Sequence, residues 1–283
     1  MADRFTVTTA GPLLAMLAQH FTTWSKNTLR ERLRLGCIDV NGAVATRHDQ
    51  QVAAGDVVEI RAKGDAREAQ RGRAPFVVLF EDDDLLAIDK PAGLLSVSTD
   101  DETARTALAL ARERFRIAAL WPAHRLDRET SGVLLLTKSR EANERVQANW
   151  QSTRKVYVAV VEGEPRPAAA TIDVPLREDA GLRVRAGVHP DARPATTRYR
   201  TIATRRGLSL LEVEIETGRK HQIRVHLASI GHPVVGDDRY GTRGPRLMLH
   251  AARLELPHPR DGRSLVIEAP VPPVLRDAVS RGT

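Results

Sequence analysis

The pattern of apolar and polar positions divides the chain into two parts. In the first part, Ser25 is a suitable cap for an amphipathic helix that runs to about residue 35, where Gly36 ends it. Short apolar runs then flank Asn41-Gly42, the strongest short signal for a β-hairpin, and Gly55-Asp56 turns the chain into a further strand. The pattern therefore predicts two helices and a small sheet within residues 1–63.

Residues 64–75, GDAREAQRGRAP, have no apolar periodicity and combine mixed charge with Gly and Pro, which predicts a linker. The second part, residues 76–283, alternates strand-like apolar runs with helical segments. Strands are predicted at Phe76–Phe80, Leu85–Asp89, Val133–Thr137, Val156–Val161, Thr197–Ile202 and Leu208–Ile215. Helices are predicted at Ala104–Phe115, Ser139–Trp150, His221–Ile230 and Pro273–Val279. The pattern indicates one mixed α/β or α+β sheet domain.

Composition is that of a globular protein, with 42% hydrophobic and 28% charged residues. Because no apolar run approaches the roughly 20 residues that span a bilayer, and the N-terminus lacks an export pattern, we expect a cytoplasmic protein without membrane association. Cys37 is the only cysteine, which excludes an intramolecular disulfide and a cysteine-based zinc cluster. We expect it to be a small core residue.

The charge balance is basic, with a net charge of +7 and a pI of about 10.0. Such a balance favours a polyanionic partner, although a GC-rich genome also enriches arginine without a functional reason. Lys26, Arg30 and Arg34 are spaced four residues apart and form one stripe of the predicted first-part helix. This stripe is either a solvated face or a surface that binds nucleic acid.

Several common kinds of site are not supported by the motifs. There is no GxGxxG after a strand and no GxxxxGK[ST]. His221 and His226 are five residues apart, so they point to different faces of a helix, whereas two ligands of one metal usually sit four apart. Ser131 lies in TSG rather than in GxSxG. We therefore expect carboxylate chemistry with no metal and no cofactor.

Five successive segments carry a family resemblance: FEDDDLLAIDKPAGLLSV, HRLDRETSGVLLLTKS, RKVYVAVVEG, ETGRKHQIRVHLASIGHPVVGDDRYG and LMLHAARLELPHP. In this order they resemble the conserved blocks of the RluA-type RNA pseudouridine synthases, from about Phe76 to Pro270. The segments LRERLRLGCIDVNG and AAGDVVEI resemble the alpha-L RNA-binding domain of a small-subunit ribosomal protein. Lys220 departs from the family, which usually has Thr there, and the segment LLSVST varies within it.

The resemblance implies an α+β fold in which helices flank a mixed, largely antiparallel sheet. It implies that Asp127 is the catalytic carboxylate, acting on either the base or the sugar of a uridine. Burial alone would raise the pKa of a carboxyl group, so a cation must lie close, and the family matches Arg224 to that role. On the predicted helix Arg224 lies about 100° from the apolar stripe, at the border of the core. Tyr157 matches the tyrosine that stacks on the target uracil.

The resemblance also implies contacts with RNA. A stacked uracil must be extruded to react, and Arg125 is matched to the side chain that fills the gap. Thr130, Ser131 and Gly132 are expected to lie beside the substrate and to orient the carboxylate. Lys90, Arg128, Arg219 and Lys220, together with the stripe of the first part, are expected to contact the RNA backbone. We expect a monomer that needs no protein partner and acts on structured ribosomal or transfer RNA.

Two alternatives remain open. A non-catalytic RNA-binding or ribosome-assembly protein would retain the fold without the reaction. A glycosylase or hydrolase would share the first chemical step but release free uracil, whereas an isomerase leaves the mass of the RNA unchanged.

Overall fold

The structure is a computed structural model that describes residues 3–34, 37–45, 48–60, 76–98 and 106–280. It forms two compact units, Met1–Ala74 and Pro75–Thr283. The expected linker, residues 64–75, lies outside the described residues. In the part of the chain that is described, no helix is long and apolar enough to cross a membrane.

The described part of the first unit contains two helices and short strands. The helices are α1 (Leu13–His20) and α2 (Lys26–Arg34), and the strands are β1 (Asp3–Thr6), β2 (Gly11–Pro12), β3 (Ile38–Val40), β4 (Ala43–Val44), β5 (Gln51–Val52) and β6 (Val57–Ile60). Four strands form an antiparallel sheet in the order β1-β6-β3-β4, and β2 pairs with β5. Leu17, Leu29 and Ile38 are fully buried between helices and sheet, so the apolar positions of both helices form the core.

Two local predictions for this unit are confirmed. The Ser25 hydroxyl accepts a hydrogen bond from the Thr28 backbone N–H at 3.1 Å, as expected of a helix cap. Asn41 and Gly42 have φ values of 52° and 77°, which is the geometry of the tight hairpin turn between β3 and β4. The predicted helix end at Gly36 lies outside the described residues.

The second unit is built on one large sheet, and β13 and β14 pair separately. The strands of this unit are β7 (Val77–Glu81), β8 (Leu85–Lys90), β9 (Trp121–Pro122), β10 (Ser131–Thr137), β11 (Arg154–Glu162), β12 (Ala169–Asp173), β13 (Leu176–Glu178), β14 (Val184–Ala186), β15 (Thr196–Arg205), β16 (Leu208–Ile215), β17 (Leu249–Pro257) and β18 (Ser264–Glu268). Its helices are α3 (Ala107–Phe115), α4 (Arg140–Ala148), α5 (Gln222–Ser229) and α6 (Pro273–Asp277).

The sheet has ten strands in the order β12-β15-β16-β11-β17-β10-β8-β7, with β18 on β17 and β9 on β10. Neighbours are antiparallel except β10 and β17, which run parallel through Ser131 and Gly132. This mixed, largely antiparallel α+β fold is the predicted one. All seven residues of β10 are buried, which explains why its sequence is a continuous apolar run rather than an alternating one.

The predicted elements differ from the structure mainly at their ends. Helix α3 begins after Thr106, whose hydroxyl accepts from the Ala109 N–H at 3.2 Å, and part of its predicted start lies among undescribed residues 99–105. Helix α4 ends at Ala148, and Trp150–Ser152 forms a separate 3-10 turn. Strands β9, β12, β13, β14, β17 and β18 were not predicted. In β17 the alternation of buried and less buried residues is interrupted near Arg253, which is only half-buried. At the same place the pairing of β17 with β11 shifts register.

Candidate active site

The HRLD segment lies in the loop between β9 and β10 and forms one side of a cleft of about 800 Å³. Asp127 lines this cleft, and its side chain is 29% exposed. The backbone beside it is held by the Ser96 hydroxyl, which donates to the Leu126 carbonyl at 2.8 Å and accepts from the Leu126 N–H at 3.0 Å. The Thr130 N–H donates to the Asp127 carbonyl at 3.1 Å. The loop thus presents the carboxylate to the cleft from a restrained backbone.

Lys90 supports this loop from beneath. Its side chain is fully buried, and its ammonium donates to the carbonyls of Pro91 at 3.0 Å, Leu94 at 2.7 Å and Arg128 at 3.2 Å. Burial lowers the pKa of Lys90 to about 8, against the raising effect of nearby carboxylates. The prediction that Lys90 contacts the RNA backbone is therefore wrong, because all three N–H bonds are used inside the protein.

Ser131 is also buried, and its hydroxyl joins two neighbouring segments. It lies 2.9 Å from Nδ1 of His250 on β17 and accepts from Nη2 of Arg246 at 3.0 Å. Burial lowers the pKa of His250 to about 4, so its ring is neutral at pH 7. Ser131 therefore connects β10 to β17, and the prediction of a direct substrate contact is wrong for this residue.

The two neighbours of Ser131 differ in what surrounds them: Gly132 packs against a strand, and Thr130 lines a pocket. Gly132 has φ 112°, and a Cβ there would lie 2.1 Å from the Ala251 carbonyl oxygen. A side chain would thus separate the parallel strands, so Gly132 supports the sheet and does not reach the substrate. Thr130 is buried but lines a smaller pocket of about 80 Å³ that adjoins the cleft beside Asp127.

The opposite side of the cleft is formed by Arg224 on α5. Its guanidinium donates from Nε to Asp237 at 2.7 Å and from Nη2 to the other Asp237 oxygen at 2.6 Å, which is a bidentate pair. Its Nη1 lies 3.5 Å from Oδ2 of Asp127. Arg224 is buried rather than at the border of the core, because residues 222–227 of the helix are buried on every side.

Asp237 is held in place by its own turn. Its Oδ1 accepts from the backbone N–H groups of Arg239 at 3.0 Å and Tyr240 at 3.1 Å. Gly236 precedes it with φ 78°, and a Cβ there would lie 1.9 Å from a backbone carbonyl oxygen. The close approach of these two chain segments therefore requires glycine and positions the carboxylate that orients Arg224.

The charges of this pair are mutually stabilised. Burial would raise the pKa of Asp237, but the hydrogen bonds and charge of Arg224 outweigh it, together with the two backbone N–H groups, and lower that pKa. Burial likewise would lower the pKa of Arg224, but the hydrogen bonds and charge of Asp237 outweigh burial and raise that pKa. The cation therefore stays charged although little of it contacts water.

Two aromatic side chains complete this wall. His221 precedes α5 with φ 54°, and its Nδ1 lies 2.9 Å from the Tyr240 hydroxyl, while its Nε2 lies 4.0 Å from Asp127. The Tyr240 ring centroid lies 5.3 Å from the Arg224 guanidinium carbon. Burial lowers the pKa of His221, although the charge of Asp127 opposes this effect. A neutral imidazole therefore faces the carboxylate at pH 7.

Tyr157 on β11 borders both the cleft and the smaller inner pocket. Leu126, Ile215 and Leu249 supply apolar surface to the same pocket. Burial, and then the charge of Asp127, raises the pKa of the Tyr157 phenol, so the hydroxyl stays protonated at neutral pH. The structure thus brings Asp127, Arg224 and Tyr157 together, as the resemblance implied.

The other predicted basic residues lie at the rim or elsewhere. Arg125, Arg128, Arg219 and Lys220 are exposed and line the cleft. Arg219 donates to the Pro194 carbonyl at 3.2 Å, and Lys220 pairs with Glu178. Lys26 and Arg30 are exposed on α2 of the first unit, whereas the Arg34 side chain lies outside the described residues.

Sequence reasoning missed Asp237, Tyr240 and the role of His221 as a wall residue. All three lie in the quoted segment ETGRKHQIRVHLASIGHPVVGDDRYG, so the signal was present as acidic and aromatic residues after a glycine. Within the described ranges, no three His, Cys, Asp or Glu side chains are grouped so as to hold a metal ion. The arrangement supplies an accessible carboxylate, a fixed guanidinium and a ring-lined pocket, which suits reaction at a flat heterocycle or its sugar.

Comparison with known proteins agrees with this geometry. Residues 84–229 match the family model described as RNA pseudouridylate synthase. A protein of Nitrosomonas europaea named ribosomal large subunit pseudouridine synthase D is 36% identical over 277 residues, covering 90% of this chain and 80% of that protein. The chain belongs to the RNA pseudouridylate synthase family. It is therefore an RNA pseudouridine synthase, an enzyme that isomerises uridine in RNA.

Further relatives fit the same assignment. The ribosomal large subunit pseudouridine synthase D of Vibrio cholerae is 32% identical over 282 residues, covering 90% of this chain and 86% of that protein. The solved structure of human RNA pseudouridylate synthase domain containing 1 aligns with a TM-score of 0.62 at 24% identity, covering 74% of this chain and 89% of that one. The latter likeness concerns the fold alone.

Proposed function

We propose that this pseudouridine synthase modifies a uridine of ribosomal RNA, with Asp127 as its catalytic carboxylate. The observation that carries the proposal is the position of Asp127 in the cleft, 3.5 Å from a buried arginine that Asp237 holds in a bidentate pair. A non-catalytic RNA-binding protein has no need for such a buried and oriented cation beside an accessible carboxylate, because phosphate contacts require only surface charge.

The reaction needs no redox partner. The bond between N1 of uracil and C1′ of ribose breaks, the base turns, and a new bond forms between C5 and C1′. The C5 proton is lost and N1 gains one, so the mass of the RNA is unchanged. Asp127 supplies a carboxylate oxygen to the base or to the sugar during this exchange, and Arg224 orients that carboxylate from 3.5 Å away.

The inner pocket is the proposed position of the target uracil. Tyr157 offers an aromatic face for stacking, and Ile215 and Leu249 offer apolar surface to the ring. Since the pKa of Tyr157 is raised, its hydroxyl acts in this proposal as a hydrogen-bond donor beside the ring and not as an ionised base.

The exposed arginines at the cleft rim are proposed to hold the RNA. Arg125 fills the stack that the extruded uracil leaves, since its planar cation stacks on bases. Arg128 and Arg219 contact phosphates, and Lys220 does so after exchanging Glu178 for an RNA oxygen. These contacts orient the RNA and do not by themselves select a sequence.

The first unit is proposed to be an RNA-binding domain of residues 1–63, joined by residues 64–75 to a catalytic domain of residues 76–283. Lys26 and Arg30 on α2 are exposed, which supports a role in contacting phosphate. The monomeric state without an obligatory protein partner stays a prediction. The cytoplasmic location stays a prediction.

Ribosomal RNA is the preferred substrate because the relatives from Nitrosomonas europaea and Vibrio cholerae are named for the large ribosomal subunit. Transfer RNA is the second candidate. The test uses large-subunit ribosomal RNA and a transfer RNA pool, each transcribed with tritium at C5 of uridine. Isomerisation releases this label to water, because C5 becomes the glycosidic carbon.

We expect tritium release from the ribosomal transcript, pseudouridine in the digested RNA and no free uracil. Release from the transfer RNA pool alone would overturn the choice of substrate. Free uracil would indicate a glycosylase, and tight binding of either RNA without any tritium release would indicate a non-catalytic binder.

A further inference from the structure

The outer part of the cleft, away from Asp127, contains a buried lysine that the proposed reaction does not use. Lys155 precedes Tyr157 by two residues on β11, so both side chains point to the same face of the sheet. Lys155 is only 5% exposed, yet it lines the cleft. The outer lobe is the part of the cleft lined by Leu95, Val97, Pro122, Trp150 and Lys155.

The hydrogen bonding of Lys155 is weak for a buried ammonium. Its Nζ lies 3.4 Å from the carbonyls of Trp150 and Glu216, beyond the usual range of about 2.7–3.2 Å. Lys90, the other buried lysine near the cleft, makes three bonds of 3.2 Å or less. Among the described ion pairs none includes Lys155, and Glu214 is the acid whose charge acts on it. The Lys155 ammonium is therefore available to an acceptor in the cleft.

Two stacked aromatic rings lie beside this ammonium. Trp150 stacks on the His124 ring with centroids 5.1 Å apart, and Nζ of Lys155 lies 5.6 Å from the Trp150 centroid. Burial, and then the charge of Lys155, lowers the pKa of His124 to about 4, so the imidazole is uncharged at pH 7. A flat ligand with an anionic oxygen fits this combination of ring surface and single cation.

The size of the cleft leaves room for such a ligand. The inner pocket measures about 80 Å³, whereas the cleft measures about 800 Å³, in the upper part of the roughly 300–1,000 Å³ range of pockets that enclose whole small molecules. Uracil is a single six-membered ring and leaves the outer lobe empty. The group that RNA necessarily brings next to a bound uridine is the adjoining nucleotide.

We propose that the outer lobe binds the nucleotide adjacent to the target uridine, with its base against Pro122 and Trp150 and with Lys155 bonded to the phosphodiester oxygen that joins the two nucleotides. This subsite rests on the proposed position of the uridine beside Asp127. It makes the enzyme sensitive to the neighbour of the modified uridine.

The chain offers its own reporters for a binding experiment. Its three tryptophans are Trp24, Trp121 and Trp150, and its three tyrosines are Tyr157, Tyr199 and Tyr240. Full-length protein with ¹³C-labelled tryptophan and tyrosine rings is titrated by NMR with the nucleoside uridine, which lacks a phosphate, with the dinucleotides UpA and ApU, and with their neutral methylphosphonate analogues. Trp150 reports on the outer lobe and Tyr157 on the inner pocket.

We expect uridine to shift the Tyr157 signal without the Trp150 signal. One of the dinucleotides shifts both and binds about tenfold more tightly, as a charge-assisted hydrogen bond predicts. Lys155→Met removes this gain but leaves the affinity for uridine unchanged, and the methylphosphonate analogue loses the same gain in the wild type. Lys138→Met is the matched control, because Lys138 is a partly buried lysine outside the cleft that pairs with Glu81.

Val97→Trp tests the lobe without removing a buried charge, since it fills the space meant for the second base. It is expected to weaken dinucleotide binding and not uridine binding. Dinucleotides that bind no more tightly than uridine would overturn the subsite, as would a methylphosphonate that keeps the full gain or a Lys155→Met variant that weakens both ligands equally. Absence of any Tyr157 shift with uridine would instead contradict the proposed position of the uridine.

Discussion

The two walls of the cleft differ in how firmly they hold their charged groups. On the loop wall, Asp127 is 29% exposed, and the Arg224 guanidinium that lies 3.5 Å from it belongs to the opposite wall. On the helix wall, Arg224 is 6% exposed and is fixed by Asp237, which is fully buried. The cation is therefore oriented before RNA arrives, while the carboxylate remains accessible. We therefore assign the reacting carboxylate to the loop wall and the preorganised cation to the helix wall.

The largest effect among the helix-wall variants is expected for Arg224→Lys. Lysine keeps the charge but loses the planar pair of donors, so it cannot bond Asp237 and approach Asp127 at once. We expect kcat to fall by about 10²–10³-fold. The assay is tritium release at saturating RNA, with Arg239→Lys as the control on the exposed side of the same turn. A kcat within a few-fold of wild type would mean that only charge is required there.

Asp237→Asn is expected to have the next largest effect. The amide cannot balance the buried guanidinium, so the free energy of unfolding falls by about 3 kcal/mol or more and kcat falls by about tenfold. Chemical denaturation gives the first quantity, and tritium release well below the unfolding temperature gives the second. Unchanged kcat in a folded but less stable variant would show that Asp237 stabilises the fold without positioning Arg224.

Lys90→Met tests the support of the loop wall. It leaves three buried carbonyl oxygens without their donor, which is expected to lower the free energy of unfolding by about 2–4 kcal/mol. Because Ser96 separately bonds the Leu126 backbone and the Thr130 N–H bonds the Asp127 carbonyl, kcat should change only a few-fold. Equal stability of Lys90→Met and wild type in urea would contradict the proposed supporting role.

The smallest effect concerns pH and the two neutral histidines near the loop wall. His124 and His250 have pKa values lowered to about 4, whereas an unfolded histidine titrates near about 6.5. Between these values the unfolded chain binds more protons than the folded chain, so the free energy of unfolding decreases as pH falls from about 6.5 to 4.

Calorimetry across this range is expected to show a falling unfolding temperature, with a shallower dependence in His250→Gln. His189→Gln, at an exposed position, is the control and should keep the wild-type slope. An identical slope in all three proteins would mean that His250 takes up protons in the folded state.

The sequence predicted well those features that a local pattern controls. The Asn41-Gly42 turn and the Ser25 cap depend on a few adjacent residues, and the buried strands are visible as apolar runs. Strand β17 was missed because its burial depends on partners on both sides of it. Its pairing with β10 and β11 places Ala251 against Gly132, a constraint that no local pattern contains.

The sequence predicted the main residues of the candidate site but not the residues that hold them in position. Asp127, Arg224 and Tyr157 stand in motifs, whereas Lys90 and Lys155 look alike in sequence. Only the structure separates them, because one ammonium has three close carbonyl partners and the other faces the cleft. The same holds for Asp237, whose importance lies in the guanidinium that it orients.

The most direct test compares two carboxylates of the same cleft. Asp127 and Asp238 both line it, and they lie 3.5 Å and 3.6 Å from the Arg224 guanidinium. The measurement is the single-turnover rate of pseudouridine formation in large-subunit ribosomal RNA by Asp127→Asn and Asp238→Asn. We expect a loss of at least about 10³-fold for Asp127→Asn and a rate near wild type for Asp238→Asn. A rate near wild type for Asp127→Asn, or equal losses in both variants, would contradict the role of Asp127 as the catalytic carboxylate.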